Sequence, residues 1–188
     1  FPPMISERDM MLSVFWDGVA DVAGWMASEK FDGCRAYWDG SRFWTRGGNV
    51  IKAPAWFTAG LPADMHLDGE LWSGYGQFER ASVAVRFGKF TGNERFMVFD
   101  CPTAPGCWSS RIQAARACAT AAPAASVVKT WTVGRSESLL ADLARIGAVG
   151  GEGIVIRKPG VGYVSGYTET MRKVKWLPGV MSADCGRD

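Results

Sequence analysis

Histidine is almost missing from this chain: His66 stands alone among 188 residues. A Ser-His or Cys-His nucleophilic centre would have to be built on it, and nothing in the sequence places a nucleophile beside it. His66 therefore reads as an ordinary loop residue. Cysteine is present but unpatterned. Cys34, Cys101, Cys107, Cys118 and Cys185 contain no CxxC pair and cannot all pair within the chain, which supports neither a zinc site nor a disulfide framework. Cys101 and Cys107 offer one loop disulfide in an oxidising compartment, with free thiols the preferred reading. No apolar run is long enough to span a membrane. No signal peptide is visible, although a chain opening on Phe1 is compatible with a removed leader or tag.

A strong charge of either sign is also lacking. Lysine and arginine total 21 against 19 acidic residues, and a formal charge of +2 is too small to identify nucleic-acid binding. A basic face must come from local clusters such as Arg157-Lys158 and Arg172-Lys173-Val174-Lys175. By charge alone these are solvated strand ends. The glycine-rich stretch 147–153 has the composition of a phosphate loop, but it lacks a Gly-Lys-Ser/Thr ending and runs into a strand pattern. Those glycines read as a tight approach to the strand that presents Glu152.

What the chain does have is Glu29-Lys30-Phe31-Asp32-Gly33-Cys34-Arg35. An amine, a carboxylate and a fixed cation are placed close together there. Two aromatic-rich runs, 35–38 and 43–46, flank Asp39-Gly40-Ser41 and predict a hairpin, which puts Lys30 at the mouth of a strand. A lysine attacks only as the free amine, and burial and neighbouring cations favour that form. Further segments follow in order. Leu67-Asp68-Gly69-Glu70-Leu71-Trp72 puts a carboxylate at a turn into an apolar run. Residues 96–100 read as a buried strand ending on Asp100, and 152–158 as a strand opening on Glu152. Lys173 and Lys175 alternate, so both face one side of an extended segment. Thr45-Arg46-Gly47-Gly48 adds an arginine close after Lys30.

In this order, these segments resemble the ATP-dependent DNA ligases and, more broadly, the covalent nucleotidyltransferases that include RNA ligases and mRNA-capping enzymes. Residues 28–40, 53–62, 67–72 with Gly76-Gln77-Phe78-Glu79, and 95–102 are similar to the minimal bacterial ligases of the E type. The resemblance implies an α+β nucleotidyltransferase (adenylation) domain with antiparallel sheets flanked by helices. It implies ATP and Mg2+ as cofactors, nicked duplex DNA as partner and a lysyl-AMP intermediate on Lys30. Lys173 and Lys175 would sit on the α-phosphate, offsetting its charge and helping to keep the Lys30 amine neutral. Phe99 would stack on adenine, although Phe96 is hard to separate from it by residue type. Glu70 would accept from the ribose hydroxyls, and Arg35 and Arg46 would hold phosphate of nucleotide or nick. Glu152 is the first choice of metal ligand, with Glu70 and Asp32 behind it, and orienting Lys30 or the Gly33 turn is an equal reading of Asp32. An RNA ligase or capping-type enzyme, or a non-catalytic nucleotide- or nick-binding module, are the alternatives.

Local patterns predict helix or loop over 4–26 and helices over 76–85, 109–122 and 136–146. The last has Leu139, Leu140, Leu143 and Ile146 on one face, Ser136 as its cap and Gly147 as its stop. With no internal repeat or long linker, one domain over 1–180 and a short tail over 181–188 are expected, as a monomer without membrane contact. The family continues into an OB-fold barrel, whereas thirteen residues follow Lys175 here. That domain is expected to be absent, with a fragment, a reduced enzyme or a partner protein as the readings. The sequence leaves the compartment unknown, with the cytoplasm as one reading and the periplasm as the other if the chain follows the E-type enzymes and a leader has been removed.

Overall fold

The structure, a computed structural model, describes residues 4–176. Two mixed sheets face the same cleft. The first has the order β1 (Met11–Phe15), β11 (Gly166–Val174), β10 (Gly153–Arg157), β2 (Met26–Lys30), β9 (Thr130–Thr132). The second runs β5 (Val50–Ile51), β4 (Phe43–Trp44), β3 (Cys34–Trp38), β6 (Leu67–Trp72), β7 (Arg95–Asp100), β8 (Ala125–Val127). The hairpin after Lys30 is β3–β4, closed by Asp39 Oδ1, which accepts from the backbone N–H groups of Ser41 and Arg42 at 2.8 Å each. Most neighbours are antiparallel as expected, but β1–β11 and β7–β8 are parallel. A parallel neighbour needs a crossover, and α3 (Trp108–Ala119) supplies it between β7 and β8.

Each sheet has its own core. Behind the second sheet, Phe43, Phe57, Leu67, Leu71 and Phe96 pack with Trp108 and Ile112 of α3 and with Ala81 and Ala84 of α2 (Phe78–Phe87). Beside the first sheet, Ile154, Ile156 and Val174 pack with Leu139, Leu143 and Ile146 of α4 (Ser138–Ala148). The short α1 (Ala55–Thr58) buries only Phe57.

Several local expectations are corrected. Residues 4–26 contain β1 rather than a helix, because that strand's partner lies at the far end of the chain and leaves no local periodic mark. Ser136 does not cap α4. Its Oγ accepts from Val22 N–H at 3.1 Å and pairs with Asp21, tying the loop before β2 to the helix start. Leu140 is exposed, since the buried stripe 139, 143, 146 already fills the i, i+4, i+7 positions. Gly147 lies inside α4, which runs on to Ala148. The carboxylates of the 67–72 segment are not at a turn, because Asp68 and Glu70 lie within β6. The expected tail over 181–188 lies outside the described residues.

Candidate active site

Lys30 is the last residue of β2 and pairs in register with Gly153, the first residue of β10. That register brings Glu152 to the nucleophile: Lys30 Nζ is 3.1 Å from Glu152 Oε2, and Lys175 Nζ pairs with Oε1 of the same carboxylate. The glycine after Glu152 is required, because a Cβ there would meet the Val174 carbonyl oxygen at 2.4 Å. Lys173 lies two residues before Lys175, with its Nζ 4.3 Å from the centre of the Phe15 ring. Burial, then the charges of Lys175 and Lys30, push the Lys173 pKa down. Two lysines thus share the carboxylate of Glu152 and Lys173 stands close enough to feel the charge of both, a positive corner suited to a polyanion.

Gly33 explains the glycine of the Lys-x-Asp-Gly motif. A Cβ there would meet the Leu71 carbonyl oxygen at 2.1 Å, and the Gly33 N–H donates to Glu70 Oε1 at 3.2 Å. The chain leaving Lys30 therefore passes directly over β6 and is pinned by Glu70. Gly33→Ala is expected to destabilise the fold by about 1–3 kcal/mol through overpacking. It should also displace Lys30, so nucleotide transfer falls more than the unfolded fraction accounts for. Chemical denaturation beside a transfer assay checks this. Asp32 is exposed and does not line the cleft.

The cleft between the sheets is a cavity of about 300 Å³ walled by Gly33, Glu70 and Phe99 on one flank and Lys30, Val155, Arg157 and Lys173 on the other. Phe99 and Phe96 are now separated. Phe96 is fully buried against Phe43 at 4.8 Å, whereas Phe99 faces the cleft, with the Arg35 guanidinium 4.9 Å from its ring centre.

Arg35 lines the cleft but is already committed: Nε and NH2 each donate to Asp68 at 2.7 Å, and NH2 also reaches the Met11 carbonyl at 2.9 Å. Asp68 is fully buried and also accepts from Tyr163 OH at 2.7 Å. Arg35 is thus a wall of the site held in place by the protein. Arg46, on the cleft rim, donates to Glu7 at 3.1 Å and to Tyr167 OH at 2.9 Å. Asp68, Tyr163 and Arg157 escaped the sequence reading. Asp68 sat in a quoted motif, but nothing local marked Tyr163 or Arg157 as neighbours of Arg35 or Phe99.

Glu70 carries the most displaced carboxylate of the site. Burial pushes its pKa up to about 7, against the pull of Lys30 and Arg35 and with the push of Glu152. A folded pKa above the unfolded value means that the native state holds the proton longer. Its contribution is therefore most favourable below about pH 4.5 and is lost as pH rises through about 7. Glu70→Gln, which keeps an acceptor for Gly33, should stabilise the protein at pH 8 by on the order of 2 kcal/mol and change little at pH 4. Urea unfolding at both pH values checks it, and an equal effect at both would refute the assignment.

The remaining expectations can be placed. His66 shares a 3.0 Å hydrogen bond with Tyr37 and belongs to no nucleophilic set. Cys101 and Cys107 are free thiols, the latter 3.0 Å from Ser109 Oγ. No helix among the described residues is long and apolar enough to cross a membrane.

No protein-family profile matches the chain. A solved structure from work on Lig E DNA ligases, described as binding DNA with a minimal scaffold, superposes with a TM-score of 0.80 at 35% identity, covering 89% of this chain and 68% of that one. The chain belongs to the DNA ligase family. The DNA ligase of Haemophilus influenzae is 32% identical over 162 residues, which are 84% of this chain. The chain spans 60% of that ligase's length. The Chlorella virus DNA ligase-adenylate shares the fold at 20% identity, with a TM-score of 0.75 over 90% of this chain and 68% of that one. Within the ligase fold, the α+β architecture expected from the motifs is the one observed, with Lys30 and Glu70 on opposite strands of one cleft.

Proposed function

We propose that this ligase-family chain carries out ATP-dependent sealing of nicks in duplex DNA through AMP carried on Lys30. The observation that carries this reading is the Lys30–Glu152 contact of 3.1 Å at the cleft, with Lys173 and Lys175 beside it. Glu152 orients the amine and is the acceptor in place for its proton. The freed amine attacks the α-phosphorus of ATP, the N–P bond forms and the bond to pyrophosphate breaks. Lys173 and Lys175 bring positive charge to the phosphate as its charge grows. Phe99 provides an aromatic face for the purine, and Glu70 an acceptor for ribose hydroxyls. Sealing then passes AMP from Lys30 to the 5′-phosphate of the nick, and attack by the 3′-hydroxyl releases it.

The acidic residues fit a magnesium ion. Glu70 and Glu152 are close enough for the charge of one to raise the pKa of the other, and both offer hard oxygen donors. Among the described residues no cluster of three His, Cys, Asp or Glu forms a closed metal cage. An ion held by one or two carboxylates, water and substrate phosphate matches magnesium. It would supply neutralisation of the polyphosphate leaving group.

The test incubates the protein with labelled ATP and Mg2+, then offers nicked duplex DNA and, separately, nicked RNA. Label on Lys30 by mass spectrometry, discharged by nicked DNA into a sealed strand, is the expected result. No covalent label would leave only a binding module, and discharge by RNA alone would move the substrate to the RNA ligases. Sealing should weaken steeply with salt, because lysine and arginine contacts to phosphates carry most of the affinity for the duplex.

A further inference from the structure

Two of the free thiols stand together, away from the cleft. Cys101, the residue after β7, is fully buried, and Cys118, in the last turn of α3, is partly exposed. Both belong to the core behind the second sheet, and the two thiols are hydrogen-bond partners. The helix brings them together. Arg111, Ala115 and Cys118 are spaced i, i+4 and i+7, one stripe of α3. The first two are buried, and Arg111 holds Asp100, the neighbour of Cys101, at 2.8 and 3.2 Å. The contact between helix and strand is fixed at its other points too. The Trp108 indole N–H donates to the Phe99 carbonyl at 2.7 Å, and the Ala104 N–H to the Cys101 carbonyl at 3.0 Å. Cys107 does not compete for Cys118. Its sulfur is 3.0 Å from Ser109 Oγ at the start of α3, with about 16 Å of helix axis between it and Cys118.

We propose that Cys101 and Cys118 form a redox site, a dithiol that an external small disulfide oxidises to an intrachain cross-link stapling the end of α3 to the end of β7. With oxidised glutathione as that disulfide, the step balances. The Cys118 sulfur, the one open to solvent, attacks one glutathione sulfur, a Cys118–glutathione bond forms, and the first glutathione leaves with the proton Cys118 has given up. The Cys101 sulfur then attacks the Cys118 sulfur, the protein disulfide forms, and the second glutathione leaves with the proton of Cys101. Two protein thiols are oxidised and one disulfide is reduced to two thiols. The Thr103 hydroxyl and the Ala104 N–H are placed to donate to the Cys101 sulfur, which supports the thiolate that must attack from inside the core. Burial opposes both thiolates, so the contact between the two sulfurs, rather than an acidic thiol, selects this pair. The cross-link closes the segment between β7 and the end of α3 and so restricts the unfolded chain. Neither sulfur lines the cleft, so nucleotide transfer does not depend on the staple, nor the staple on the transfer reading above.

The test holds the folded protein in excess oxidised glutathione, blocks the remaining thiols by alkylation and digests without reduction. Trypsin cuts after Arg95, Arg111, Arg116 and Lys129, so Cys101 and Cys118 fall in separate peptides, 96–111 and 117–129. These two peptides joined by a disulfide, in the wild type and equally in Cys107→Ser, are the expected result. The oxidised protein should melt about 5 °C or more above the reduced one, and dithiothreitol should reverse both the link and the shift. Cys101→Ser should stop half-way, with glutathione retained on peptide 117–129. Cys101 and Cys118 still open to alkylation after the oxidised glutathione treatment overturn the proposal, and so does a link that vanishes in Cys107→Ser. A linked protein that melts no higher than the reduced one overturns the staple. The wild-type peptide map requires no variant to fold, so a folding defect in Cys101→Ser cannot shield the proposal.

Discussion

On the proposed function, Lys30→Ala is expected to reduce covalent AMP on the protein to below detection, a loss of at least about a thousandfold, with ATP binding retained. The reason is geometric as well as chemical. Lys30 presents its amine to Glu152 from the end of β2, and the neighbouring lysines enter from β11 and just beyond it. Removing it leaves Glu152 paired with Lys175, so no carboxylate is stranded and the fold should persist. The lost ion pair is partly exposed and worth about 1 kcal/mol or less. Melting should therefore shift by only a few degrees. Intact-mass spectrometry after incubation with ATP and Mg2+, beside a thermal melt, checks both halves. Label at wild-type level in the variant would move the nucleophile to another lysine, with Lys173 the first candidate.

The largest effect on stability is expected at the Asp100–Arg111 pair. Both side chains are almost fully buried, 2% and 1% exposed, and their contacts are 2.8 and 3.2 Å. Arg111 also donates to the carbonyls of Gly106 and Val161, at 2.8 and 3.1 Å, so it ties α3 to the loop between β10 and β11. That loop carries Tyr163 to Asp68 and thereby fixes Arg35. Burial pushes the Asp100 pKa up and Arg111 opposes it. Arg111→Met leaves Asp100 as a buried carboxylate that has lost its partner, at a cost of about 3–5 kcal/mol. In a domain of this size that is a fall in melting temperature of roughly 10 °C.

The variant's defect should be greater at pH 8 than at pH 5, because the stranded carboxyl is relieved by taking a proton. Asp100→Asn added to Arg111→Met should recover part of the loss, since no charge is then buried alone. A single variant that loses less than about 1 kcal/mol, or a double variant no better than the single, would show that the pair is not a structural clamp.

The amino-acid sequence by itself determined where several side chains of the cleft stand, because that placement is written in local runs. Lys-x-Asp-Gly placed Lys30 at a strand end, and the glycine is needed because Gly33 crosses the Leu71 carbonyl. Alternation put Lys173 and Lys175 on one side, and the apolar stripe of Leu139, Leu143 and Ile146 marked α4. The period of the side chains is set by the backbone, so a short window is enough to read it. The same windows failed at α4's boundaries, where Ser136 bonds across to Val22 instead of capping the helix.

Only the tertiary structure decided which side chains meet. Phe96 and Phe99 are alike in sequence, and the packing of β7 between a core and a cleft separates them. Nothing local marked Asp68 and Met11 as the groups that hold Arg35, partners 33 and 24 residues away. Strand β1 exists because β11 lies beside it, about 150 residues later, and the Tyr163 hydroxyl joins Met11 to Asp68 across the two sheets. Arg157 looked like a solvated strand end and is a buried cation against Trp108. Contacts of this kind depend on how distant segments close on one another, and a hydrogen bond spanning more than a hundred residues leaves no period in the sequence.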